Sequence, residues 1–74
     1  MKLPRGLAGN EVVKALGLAG WRWVRTRGSH AMLQKDGRDF TLAVPLHDEM
    51  GPGLLRGILR DAGLTVAELI RLTQ

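Results

Sequence analysis

Between Gly9 and Gly20 the apolar positions Val12, Val13, Leu16 and Ala19 recur at the spacing that places them on one face of an α-helix. A helix is therefore predicted from Gly9 or Asn10, with Gly20 as its stop, because glycine takes the left-handed conformation that ends a helix cheaply. Gly17 weakens its last turn by about 1 kcal/mol relative to alanine. Residues 1–8 carry Pro4 and Gly6, show no period, and read as an extended lead-in.

From residue 21 the period changes to two. Gly28-Ser29 and Asp36-Gly37 are dipeptides that favour two-residue hairpin loops, so three antiparallel strands are predicted at roughly 21–27, 30–35 and 38–44. Two-residue loops would fix the register. Arg27 then faces His30, Arg25 faces Met32 and Val24 faces Leu33; across the second turn Leu33 faces Phe40, Ala31 faces Leu42 and His30 faces Ala43. Because facing residues share a side, Val24, Ala31, Leu33, Phe40, Leu42 and Val44, with Thr26 among them, form a core side. The other side carries Trp23, Arg25, Arg27, His30, Met32, Gln34 and Thr41. A slip of one residue in either turn would move His30 to the opposite face.

Pro45 closes the third strand, and a loop runs from Leu46 to Gly53, with Pro52 suited to a first helical position. Leu54, Leu55, Ile58, Leu59 and Ala62 then make an apolar stripe, with Arg56 and Arg60 opposite and Gly63 as the C-cap. Thr65-Val66-Ala67-Glu68 is a capping box opening a last short helix, with Val66, Leu69 and Ile70 inward. The order is α-β-β-β-α-α, an α+β fold whose helices most simply cover one sheet face and leave the other free.

At 74 residues the chain reads as one domain, with a core-derived margin of about 3 to 5 kcal/mol. That small margin favours assembly with a partner or weak self-association. The absence of cysteine fits a reducing compartment and excludes a thiol nucleophile or cysteine metal site. No apolar run approaches the ~18 residues of a membrane span, and the N-terminus lacks the apolar stretch of a secretory signal, so a cytoplasmic protein without membrane contact is expected.

Charge sharpens the picture. The chain has 11 basic and 7 acidic residues, formally +4, but residues 1–38 hold eight bases against two acids, and the remainder three bases against five acids. A polyanion on the first half is the partner this asymmetry suggests; a merely solvated surface is the alternative.

The densest chemistry lies in Trp21 to His30, with two indoles, three guanidiniums and an imidazole and no acid among them. An imidazole titrating near ~6.5 moves protons at neutral pH, and such help contributes about 10² to 10⁴ in rate. RNA supplies its own nucleophile, the 2′-hydroxyl. His30 is thus a candidate acid/base, with Arg25 and Arg27 placed to stabilise a phosphorane, Ser29 to hydrogen-bond a phosphate oxygen and Gly28 to admit close approach. His30 could equally be a surface histidine ending a turn. Trp23 could stack a base, or Trp21 and Trp23 could be rim packing or a patch for a protein partner. Lys35 and Arg38 suit a phosphate or simple solvation, and His47, beside Asp48 and Glu49, could orient substrate or cap backbone. The two histidines make no recognisable metal spacing, so no metal and no cofactor is expected.

These residues resemble the HicA family, the mRNA-cleaving toxins of HicA/HicB toxin–antitoxin pairs. The resemblance runs through Gly20-Trp21, Val24-Arg25 and Gly28-Ser29-His30, then Asp36-Gly37-Arg38, Val44-Pro45 and His47, and ends in Gly53, Leu55, Ile58, Leu59, Ala62, Gly63 and Leu64. It covers nearly the whole chain, and it is the order and spacing together that are specific. The chain departs at Ala31, where many relatives carry a second histidine, and at Leu54, where they carry threonine. The resemblance implies a double-stranded-RNA-binding-like fold, ribonuclease activity with His30 catalytic, and a HicB antitoxin that occludes the site. The rival readings from the residues are a non-catalytic RNA-binding module and a protein-interaction adaptor.

Overall fold

The computed structural model describes residues 3 and 6–74. Of the lead-in expected over residues 1–8, Met1, Lys2, Pro4 and Arg5 lie outside the described residues, while Leu3 and Leu7 are buried in the core.

The elements follow the predicted order: α1 (Gly9–Leu18), β1 (Arg22–Arg27), β2 (His30–Gln34), β3 (Leu42–Pro45), α2 (Pro52–Ala62) and α3 (Val66–Leu72). Ala8 precedes α1 with no side-chain acceptor, so the cap is carried by Glu11, whose carboxylate accepts the Ala8 N–H at 3.0 Å. Gly20, at φ +102°, ends the helix: the Trp21 N–H donates to Leu16 and the Gly20 N–H to Gly17, a Schellman closure that turns Trp21 inward. α2 ends the same way at Gly63, with Leu64 N–H donating to Leu59. Thr65 and Glu68 form the expected box at α3: the Glu68 N–H donates to the Thr65 hydroxyl oxygen and the Thr65 N–H to the Glu68 carboxylate.

The sheet is antiparallel in the order β1-β2-β3. Ala31, Leu33, Leu42 and Val44 point to one side and are buried there with Val12 and Leu16 of α1, Leu55 and Leu59 of α2 and Leu69 of α3. Full burial of one such aliphatic side chain is worth about 1.5–3 kcal/mol, which makes this layer the main source of stability. The helices cover that face, and the other face of the sheet is open.

Several expectations are corrected. The third strand begins at Leu42 rather than near residue 38, and Leu33 faces Leu42, not Phe40; Ala31 faces Val44 and His30 faces Pro45. The cause lies in the second turn. It closes from Lys35 to Arg38, but only Gly37 takes a positive φ, and a two-residue hairpin of matching twist at Asp-Gly needs positive φ at both central residues. The strands therefore do not pair again until Leu42. Because the slip is by two residues, every side chain of β3 keeps its face.

Phe40, expected in the sheet core, sits in the resulting loop, 39% exposed, its ring 5.7 Å from that of Trp21. Trp21, weighed as rim or partner patch, is instead a core residue, 2% exposed, whose indole N–H meets no acceptor among the described residues. Leu54, expected on the inward stripe, is exposed in the first turn of α2, and Val24 is 42% exposed because β1 is bulged there.

Candidate functional site

The turn Gly28-Ser29 joins β1 to β2 with Gly28 at φ +58° and Ser29 at negative φ, the pattern of a type II′ hairpin, whose twist suits the flanking strands. The register next to it is as predicted: Arg27 pairs with His30, Thr26 with Ala31 and Arg25 with Met32. His30 is thus held on the central strand between Arg27 on one side and Pro45 on the other, and it is exposed on the open face.

Beyond Arg25 the ladder slips. Trp23, not Val24, pairs with Leu33, and Arg22 pairs with Gln34, so Val24 is the extra residue of a β-bulge. The bulge exchanges two side chains between faces. Trp23, expected beside Arg25, shares the side of Leu33, where its indole N–H donates to the Thr26 hydroxyl at 2.9 Å. Arg22, which strict alternation would send to the core side, joins Arg25 and Arg27 on the open face. Arg22 was missed because a bulge leaves no mark on hydrophobic periodicity; the Trp-Arg-Trp-Val-Arg order fits either register until Leu33 chooses its partner.

Along the open face of β1 therefore run three guanidiniums. Among the described residues Arg25 and Arg27 have no carboxylate within 4.0 Å, whereas Arg22 donates to Asp36 at 2.8 Å. The Arg22 hydrogen bond and charge hold the Asp36 carboxyl below the usual carboxylate range. Gln34 and Thr41 complete that end, with the Gln34 amide donating to Thr41 at 3.4 Å.

At the His30 end the backbone is cross-tied. The Leu46 N–H donates to the Ser29 carbonyl at 2.7 Å, and the Gly9 N–H to the His47 carbonyl at 2.8 Å. Gly28, Ser29, His30, His47 and the start of α1 are thereby gathered at one end of the sheet. The His47 side chain is exposed, while its backbone carbonyl accepts the hydrogen bond from the start of α1.

Lys35 and Arg38 are not part of this gathering. They follow the far end of β2, five residues from His30 in the case of Lys35, which along a strand is about 17 Å. The Lys35 stem lies over Gly20, its Cε 3.2 Å from where a Cβ on that glycine would be, and the Arg38 guanidinium lies over Gly63, its Nη2 at 2.7 Å by the same measure. Both cations thus sit at C-terminal ends of helices, where the carbonyl dipoles favour positive charge.

Among the described residues no group of three or more His, Cys, Asp or Glu side chains converges to hold a metal ion, and no helix is long and apolar enough to cross a membrane. The family model for the HicA toxin of bacterial toxin–antitoxin systems matches residues 9–64, from the first residue of α1 through the closure of α2. No curated protein matches the chain. With three quarters of its length under that match, and with the α-β-β-β-α order the match spans, the chain belongs to the HicA family of toxins, the toxin component of bacterial toxin–antitoxin systems.

Proposed function

We propose that this toxin is an endoribonuclease that binds and cleaves mRNA in the cytoplasm, with His30 as its acid/base. The observation that carries the reading is the Arg27–His30 pair: an exposed imidazole on the central strand whose ladder partner is an arginine with no carboxylate partner among the described residues, at the mouth of a tight turn. Arg25 and Arg27 bind the phosphodiester. The Ser29 hydroxyl and the glycine backbone at Gly28 meet a non-bridging oxygen. His47 borders the same end and orients the strand, and Lys35 and Arg38 extend the positive field beyond the sheet.

The chemistry balances without a metal or cofactor. The 2′-oxygen bonds to phosphorus and the bond to the 5′-oxygen breaks, leaving a 2′,3′-cyclic phosphate and a 5′-hydroxyl. The proton leaving the 2′-hydroxyl and the proton gained by the 5′-oxygen pass through the His30 imidazole. The guanidiniums stabilise the charge that grows on the non-bridging oxygens.

A toxin of this kind needs a protein that silences it, and the open face is the surface to cover. A HicB-type antitoxin that presents acidic side chains to Arg25 and Arg27 would block RNA and His30 together.

The test is purified His30→Ala against the parent, incubated with intact RNA in the presence and absence of a chelator. The parent is expected to yield fragments ending in cyclic phosphate with or without chelator, and the variant to bind RNA but leave it intact. Equal cleavage by the variant would overturn the assignment of His30. Binding without cleavage by the parent would leave the face as an RNA-binding module only.

A further inference from the structure

Arg22 is the cation on the open face that the catalytic reading does not use. We infer that it is a third phosphate-binding position, at the end of the face remote from His30, and that Asp36 occupies it in the free protein as a stand-in for phosphate. The inference rests on the RNA reading of this face and adds to it a direction and a length: the bound strand runs from His30 along β1 toward the 35–38 turn.

Three observations support it. The first is placement. Arg27 and Arg25 are two residues apart on one face, about 7 Å, which is comparable to the spacing of successive phosphates along a strand. The bulge at Val24 brings Arg22 onto the same line two ladder pairs further on. β1 is an edge strand, so among the described residues no strand flanks this row on its outer side.

The second is the chemistry of the pair. A guanidinium takes a carboxylate or a phosphate through the same parallel N–H donors. The Arg22–Asp36 pair stands in solvent, with the two side chains 58% and 92% exposed, where ion pairs are weakly held and screened by salt. A phosphate in a strand already gripped by Arg25 and Arg27 competes for Arg22 at the high effective concentration of a tethered ligand.

The third is that Asp36 has no other side-chain partner among the described residues. The turn it sits in is closed by the Arg38 N–H donating to the Lys35 carbonyl at 3.1 Å, with Gly37 supplying the positive φ. Among the described residues the Asp36 carboxylate meets Arg22 alone. It can release that arginine without disturbing the fold.

The experiment is binding of uncleavable 2′-O-methyl oligoribonucleotides, followed by fluorescence anisotropy over a fourfold rise in salt. One probe is long enough to span β1, and the other is a dinucleotide that reaches only Arg27 and Arg25. Arg22→Ala is expected to flatten the salt dependence for the long probe by one phosphate contact, a slope change of about 0.7, or about 2.6-fold less affinity lost over the salt range, while Asp36→Ala, which frees Arg22 in advance, is expected to tighten binding of that probe. Asp36→Asn should act in the same direction. The dinucleotide should show neither change, and Arg22→Ala added to Asp36→Ala should abolish the tightening. Asp39→Ala removes the same charge from the same loop and should leave binding as in the parent. An unchanged slope in Arg22→Ala, or tighter binding by Asp36→Ala that persists without Arg22, overturns the inference while leaving the RNA reading intact. Failure of the parent to bind the long probe overturns both.

Discussion

Gly9 and Pro45 meet backbone to backbone: a Cβ on Gly9 would run into the Pro45 carbonyl oxygen and would lie 2.8 Å from the Leu46 Cα. Pro45 is also the ladder partner of His30. The first residue of α1 is therefore locked against the strand that flanks the histidine, and the Gly9 N–H to His47 carbonyl bond fastens the same junction.

Gly9→Ala should consequently behave as an overpacked core substitution, because backbone rather than a flexible side chain would have to move. A loss of about 1–3 kcal/mol is expected. In a domain this small each kcal/mol lowers the melting temperature by about 4–8 °C, so thermal denaturation reads the effect directly. An unchanged melting temperature would mean that the junction yields freely.

Gly57 offers the opposite case. It lies in the interior of α2, and a Cβ there would meet nothing within 4 Å. Gly57→Ala should stabilise the protein by about 0.5–1 kcal/mol, since alanine loses less backbone entropy in a helix. Comparing its melting curve with that of Gly9→Ala tests whether packing or helix propensity governs each site.

Trp23 shares a side with Leu33 and not with Arg25, and its N–H is engaged by Thr26. A base stacked on it would make Trp23→Ala lose about 1–3 kcal/mol of binding, some 5- to 150-fold. A change under threefold is expected instead, with Arg25→Ala losing affinity and salt dependence together. A large loss at Trp23 with no change at Arg25 would show that RNA lies on the other side of β1.

Two carboxyls give the fold a defined response to acid. Asp36 is held below its ordinary range by the hydrogen bond and charge of Arg22, and Glu68 first by the backbone N–H of Thr65 and then by the Thr65 side chain. A depressed value in the folded state means that the contribution to stability is present at neutral pH and is lost as the pH falls through the depressed value. Glu68→Gln should therefore melt below the parent at neutral pH, and the gap should narrow as the solution is made acidic, whereas Asp36→Asn, which removes only a solvent-exposed pair, should melt close to the parent. Melting temperatures across an acid series measure this, and a gap that widens in acid would reverse the sign of the argument.

The sequence was most informative where local physics decides. The three helices, the glycine stops of the first two and the Thr65–Glu68 box all follow from contacts within a few residues, and each stands where the pattern put it. The Gly28-Ser29 hairpin and the Arg27–His30 and Arg25–Met32 pairs are equally local, since a two-residue turn dictates the next rungs of its ladder. That is why the β1–β2 register around His30 is legible in the sequence.

What only the tertiary structure decided begins where the chain departs from strict alternation. Gly37 alone in positive φ delayed β3 by several residues, and the bulge at Val24 exchanged Trp23 for Arg22 on the open face. Trp21 became core because the end of α1 aims it inward, and Arg38 found the end of α2 across the fold. Periodicity reports which residues prefer burial. Which of two near-equal registers a strand adopts depends on the partner strand and the helices beneath it, and those contacts join residues far apart in the chain.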